Sequence, residues 1–263
     1  MLDHKPVTAN EAIADKEATA DKEATADKEA TADNVFAVAA RYVSRLREQE
    51  AAVIAQAGRA LAERLLRGGT VWVFGTGHSR AVAMELAGRA GGLSAMKELV
   101  LEDLVASGSA TKEDLVSGEL ERRPEAAAAL LKTATIGVAD AFVVISHSGC
   151  NGAPVEMAIQ AAGRGLPVVA VTSLEHSRTV RSRHPSGLRL FETAAISIDT
   201  GAPYADTAVH LGPAPGGVGG LGVCSVSSFA GILVAQALTA EIVGCYLQAG
   251  VAPPLLVSRN LPT

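Results

Sequence analysis

Four short apolar runs set what this chain can fold into: TVWVFG (70–75), AFVVIS (141–146), PVVAVTS (167–173) and AAISID (194–199). They show little period-2 alternation, so each reads as a strand that is apolar on both faces, and a sheet built from them must be covered on both sides. Helical patterns lie between the runs. Val35, Val38, Tyr42, Leu46, Val53, Ile54, Leu61 and Leu65 recur near a 3.6 period up to the glycine pair at 68 and 69, which predicts a long amphipathic helix with a glycine stop. SRAVAMELAGRAGG (79–92) reads as a second helix. A short strand is expected near 94–97, a loop through 98–122, helices at 124–137 and 154–164, an irregular basic stretch, and a second long helix at 225–249. Strands alternating with helices give an α/β fold: a doubly wound, mostly parallel sheet flanked by helices. Aromatics make up only 3% of the residues, so the core is expected to be close-packed small aliphatic side chains.

The ends of the chain read differently. ADKEAT occurs three times between residues 14 and 31 and has no apolar face to bury, so residues 1–33 are expected to be a disordered or frayed acidic tail. The tail holds nine acids and four lysines and therefore the whole net charge of −5. From residue 34 onward acids and bases balance, with no basic run to neutralise a phosphodiester backbone, which argues against a nucleic-acid partner. One domain over 34–250 and a C-terminal extension over 251–263 are expected. No apolar stretch was read as approaching the roughly 18 residues of a membrane span, and no secretory signal opens the chain, so no membrane and a cytoplasmic location are expected. Cys150, Cys224 and Cys245 lie in no metal-ligand spacing and read as reduced thiols.

The chemistry is expected beyond the carboxyl ends of the strands, where ligands sit in sheets of this type. Three loops leave those ends: GTGHS (75–79), SHSGCN (146–151) and Thr172-Ser173. All are rich in small hydroxylated or amide residues, and each leads into a helix start. Bare N–H groups, hydroxyls and helix N-termini converging on one point make a site for a phosphate monoester. The glycines would let backbone approach the anion. Gly77, His78, Ser79, Ser146, Ser148, Asn151 and Ser173 are the candidate ligands, with helix capping as the competing role for the serines and Asn151.

VWVFGTGHSRAVAMELAGRAGG and VVISHSGCNGAPVEMAIQAAGRGLPVVAVTS resemble the two signature segments of SIS (sugar isomerase) domains, and the likeness extends over about 34–250. It further resembles a standalone branch of that family. The resemblance implies the SIS fold, a phosphorylated sugar as ligand, and phosphate contacts at Ser79, Ser146, Ser148 and Asn151, the last standing where many members have Thr. Glu102 resembles the glutamate such enzymes place beside C1 and C2 of the sugar, where a base must lie within reach of the C2 proton and have its pKa raised by partial burial. Of the six histidines, His184, in the turn HPSG, is favoured as the proton shuttle that opens the ring. Glu98 and Asp103 read as a solvated face, Glu85 as an ion-pair partner of Arg89.

The helix AMELAGR lacks the histidines of metal-dependent heptose phosphate isomerases, so no metal and no other cofactor is expected. What the resemblance then implies is a metal-free enzyme on an amino-hexose 6-phosphate, deprotonating C2 and eliminating water from C3. An aldose-ketose isomerase and a non-catalytic phosphosugar sensor are the alternatives. A homo-oligomer, dimer or tetramer, is expected from the apolar surface of the helices at 35–67 and 225–249.

Overall fold

The computed structural model describes residues 30–211, 220–258 and 260. Most of the acidic tail, with the first two ADKEAT repeats, lies outside the described residues. The end of the third repeat is ordered: Thr31 caps helix α1 (Ala32–Arg45), its hydroxyl accepting from Asn34 N at 3.3 Å. The helix thus starts three residues before the expected Val35, on a capping residue that the repeat itself supplies.

The single long helix expected over 35–67 is interrupted. A π turn (Leu46–Glu50) separates α1 from α2 (Ala51–Leu66). The widened turn points Leu46 and Glu50 inward. Its cause is tertiary, because Arg45 and Glu50 both reach the end of strand β5 (Ile196–Asp199): Arg45 Nη2 lies 2.6 Å from Asp199 Oδ2, and Asp199 N donates to Glu50 Oε2 at 3.1 Å. Burial pushes the Glu50 carboxyl up.

Strands β1 (Val71–Gly75), β2 (Met96–Leu99), β3 (Ala141–Ile145), β4 (Val168–Thr172) and β5 form one parallel sheet in the order β2-β1-β3-β4-β5. The runs on β1, β3 and β4 are buried throughout, as their lack of alternation requires. Val71, Val73, Val143 and Ile145 pack on one face with α2, α3 (Arg80–Leu86) and α11 (Ser227–Gln248). Trp72, Phe74, Phe142 and Val144 pack on the other with α7 (Pro124–Thr133) and α8 (Gly152–Gly163). Asp140 fastens the sheet at the amino ends of β1 and β3. Its buried carboxylate accepts from Thr70 N at 2.8 Å, Trp72 Nε1 at 2.8 Å and Gly137 N at 2.9 Å.

Four further differences from the sequence reading have local causes. The expected loop at 98–122 contains α4 (Glu102–Ala106), α5 (Lys112–Val116) and α6 (Glu119–Arg122), each too short to show a period; Leu101, Leu104 and Leu120 pin this segment to the sheet. The basic stretch is partly helical, with α9 (Leu174–Thr179) and α10 (Leu190–Thr193). A hairpin of β6 (Thr207–His210) and β7 (Gly222–Ser225) packs beside α1 through Val38, Ala202, Val209 and Val226. Lastly, α11 corrects the membrane reading. By length and a mean hydropathy of 1.6 it is apolar enough to cross a bilayer. Here Val234, Leu238 and Ile242 are fully buried against the sheet layer. The C-terminal extension returns to the core, Leu256 N donating to Gly92 O at 2.9 Å.

Candidate functional site

Successive strands run from β1 to β2 in one direction and from β3 through β4 to β5 in the other, so the sheet's switch point lies between β1 and β3. Gly75 pairs with Ile145 at its carboxyl end. The loops GTGHS and SHSGCN both leave the sheet there, which is where a crevice opens in folds of this kind.

In the first loop Thr76 leads into a 3₁₀ turn (Gly77–Ser79) and then α3. In the second, side chains alternate between faces: Ser146 lies on the α8 side, His147 on the α11 side. Ser79 joins the loops by accepting from His147 N at 3.4 Å. The buried Ser146 hydroxyl accepts from Gly149 N at 3.2 Å, and Ser148 Oγ is 3.3 Å from Cys150 Sγ. The glycines serve a different purpose from the one expected. A Cβ on Gly75 would stand 2.6 Å from Ser79 O, and one on Gly149, whose φ is +61°, would stand 2.7 Å from Ser177 Oγ and 3.0 Å from Thr172 Oγ1. They make room for the protein's own chain, and so let the loops close into their shape.

A cleft of about 390 Å³ opens beside these loops, between the first of them and α4–α6. Gly75, Thr76, Gly77 and Arg80 form one wall. Leu101, Leu115, Val116 and Leu120 form an apolar wall, and Glu102 and Glu121 line the same space. Arg80 donates Nε to Glu98 Oε1 at 3.0 Å and Nη1 to Glu102 Oε1. Glu121 Oε1 accepts from Asn151 Nδ2 at 2.9 Å, and Asn151 Oδ1 accepts from Arg183 Nη1 at 2.6 Å. The cleft therefore has two carboxylates, one held by a guanidinium and one by an amide, beside the hydroxyl-rich loops. Among the described residues, no group of three or more His, Cys, Asp or Glu side chains is placed to hold a metal ion.

The SIS domain, as a family, matches residues 35–173. The chain belongs to the SIS domain family. Its relatives include a UPF0309 protein of Halalkalibacterium halodurans, 34% identical over 221 residues covering 84% of this chain and 88% of that one. A UPF0309 protein of Streptomyces coelicolor is 35% identical over 219 residues, covering 82% and 84%. Among solved structures, a phosphoheptose isomerase from Neisseria gonorrhoeae aligns with a TM-score of 0.53 at 15% identity, over 80% of this chain and 95% of that one. One from Francisella tularensis aligns at 0.51 and 17%, over 79% and 93%. At that identity the two isomerases speak for the fold.

The SIS fold sorts the residues picked from sequence into two groups. Gly77, His78, Ser79, Ser146 and Ser148 gather at the switch point, Gly77 and His78 exposed and Ser79 half-buried. Glu102 lines the adjacent cleft, half-exposed and paired with Arg80, which differs from the buried base expected. Asn151 and Ser173 are engaged with protein. Asn151 bridges Glu121 and Arg183. Ser173, fully buried, caps α9 by accepting from His176 N at 3.0 Å and donates to Ala202 O at 2.6 Å, so its side chain acts as a cap.

His184 is set apart from the loops' hydroxyls. Ser186 N donates to its Nδ1 at 3.1 Å, which leaves Nε2 as the donor to Glu156 Oε2 at 2.7 Å. With 8% of its side chain exposed and both nitrogens engaged, it fastens the 180–189 segment to α8. Glu98, read as solvated, instead holds Arg80; Glu85 does pair with Arg89.

Three participants escaped the sequence reading: Arg80, Glu121 and the pair His147–His176. Glu121 had no signal, since its segment reads as loop. The imidazoles of His147 and His176 meet edge to face, Nε2 of the first 3.1 Å from Nδ1 of the second. Burial pushes both below the usual histidine range, partly opposed by the Asp206 carboxylate.

Proposed function

We propose that the chain is a metal-free enzyme of the cytoplasm that binds an amino-hexose 6-phosphate and eliminates water from it. The phosphate would rest on the two switch-point loops, against Ser79, Ser146, Ser148 and the N–H groups around them, with the sugar extending into the cleft. The apolar wall of Leu101, Leu115, Val116 and Leu120 suits the C–H face of a sugar or an N-acetyl methyl group.

The observation that carries the reaction type is that Glu102 and Glu121 line one cleft. With the sugar open and its C1 aldehyde acidifying C2, Glu102 takes the C2 proton, the C2–H electrons form the C2–C3 double bond, and the C3–O bond breaks. Glu121, entering the step as the acid, gives its proton to the departing hydroxyl, which leaves as water. Both carboxyls then re-equilibrate with solvent. Asn151 holds Glu121 in place, and Arg80, next to Glu102, stabilises the negative charge that develops on O1. Isomerisation needs one base moving a proton between C2 and C1; a second carboxyl suits elimination, which must remove a proton and donate one.

Incubation with hexose and hexosamine 6-phosphates, read by product mass, tests this. Loss of one water is expected; unchanged mass with altered retention means isomerisation; tight binding without conversion or C2 exchange in D₂O means a sensor. Glu102→Gln should bind normally and turn over roughly 10²- to 10⁴-fold more slowly. A variant as fast as wild type removes Glu102 from the chemistry.

A further inference from the structure

His147 sits between Ser146 and Ser148, and the hydrogen bonds around it fix where its proton is. Ala205 N donates to His176 Nδ1 at 3.3 Å, so that nitrogen carries no proton. His147 Nε2 must then be the donor in the 3.1 Å contact between the two rings. It follows that His147 Nδ1 is a bare lone pair, and it is buried with no partner. A buried acceptor left without a donor is costly, and the site is at its least stable in this state. His147 also lines a cavity of about 10 Å³ with Ser79, Thr200 and Ser227, room for one water.

The loops themselves contain no Lys or Arg. The nearby guanidinium groups are engaged, Arg80 with Glu98 and Glu102 and Arg183 with Asn151. A doubly charged phosphate seated there meets neutral donors. We propose that binding of a dianion at these loops is coupled to uptake of one proton by the His147–His176 pair, which thereby supplies the positive charge the loops lack. This rests on reading the loops as a phosphate site. The proton comes from solvent and forms an N–H bond at the bare nitrogen; no other bond changes.

The groups facing the pair permit this. Asp206 favours the charged form of both rings, Glu175 favours it on His176, and the Tyr204 ring lies 5.0 Å from His176, centroid to centroid. Burial is the opposing influence and keeps both rings neutral near pH 7 while the site is empty. An anion within about 4–6 Å raises the pair's affinity for a proton by a unit or more. The sign follows: affinity for the anion is highest below the pair's free pKa and is lost as pH rises through its raised, anion-bound value. His78, exposed on the first loop, is the other titratable group beside the site.

Sulfate is the probe, because it stays doubly charged from pH 5.5 to 8.5 and any pH dependence belongs to the protein. Calorimetry on the full chain in two buffers of different ionisation enthalpy should show affinity falling about tenfold or more across that range. Proton uptake should approach one per sulfate, and ¹⁵N spectra should show His147 becoming doubly protonated. His147→Gln should bind sulfate weakly and without pH dependence. Flat binding with no proton uptake in wild type overturns the coupling and leaves the phosphate site standing, as does a pH dependence that survives in His147→Gln. Failure of both sulfate and inorganic phosphate to bind at any pH overturns the phosphate site as well.

Discussion

Gly149→Ala puts the shape of the second loop to a direct test. At φ +61° an L side chain is in the left-handed region, at a cost of about 1–2 kcal/mol. The new methyl would also stand 2.7 Å from Ser177 Oγ and 3.0 Å from Thr172 Oγ1. Those hydroxyls are fully buried and bond to each other at 3.0 Å, and Ser177 Oγ donates to Ser148 O at 2.8 Å. Pushing them apart leaves at least one buried group unpaired, worth about 1–3 kcal/mol. The sum is roughly 2–5 kcal/mol, which for a chain of this size lowers Tm by about 5–15 °C. Thermal unfolding followed by circular dichroism measures it. Gly163→Ala is the control: it ends α8 with nothing within 4 Å of the added carbon, so Tm should hold or rise slightly. Sulfate binding should weaken in Gly149→Ala alone, because Ser148 moves with the loop. A Gly149→Ala protein melting within about 2 °C of wild type would refute the view that the glycine is there for close approach.

Asp140→Ala leaves Thr70 N, Trp72 Nε1 and Gly137 N without their shared acceptor, and the urea midpoint should drop by the equivalent of about 3–5 kcal/mol; a loss under about 1 kcal/mol would show that these donors find other partners. Because burial depresses the His147 and His176 pKa values, their neutral burial contributes stability that is present above the unfolded value near 6.5 and lost as pH falls below it. Urea unfolding should therefore show a weaker protein at pH 5.5 than at 7.5, and a smaller difference in His147→Phe; equal differences in the two would contradict this. The exposed side chains of Val43 and Leu247 on α1 and α11 fit a dimer or tetramer, and light scattering at micromolar concentration giving the monomer mass would contradict it.

The strands and the long helices were legible in the sequence because their signal is local. A run such as AFVVI that is apolar at every position can only be satisfied between two helical layers, and it is buried along its whole length. The hydroxyl-rich loops were legible for the same reason, as each directly follows such a run, and Ser79, Ser146 and Ser148 do come together. Elements of four or five residues were not legible, since α4, α5 and α6 span too few turns to establish a period.

What the sequence by itself determined, then, is the set of buried strands, their parallel arrangement and the hydroxyl-rich character of the loops that follow them. Tertiary structure decided which side chains meet across those loops. His147 finds its partner 29 residues on, and Asn151 joins Glu121 to Arg183, 30 residues before it and 32 after. His184 looked free in its turn and is held by Glu156; the π turn in the first long helix is drawn out by Asp199, some 150 residues away. Periodicity and residue type record what a segment must bury or expose. Polar pairings depend on the strand order, which places distant loops within hydrogen-bonding distance and which no single segment encodes.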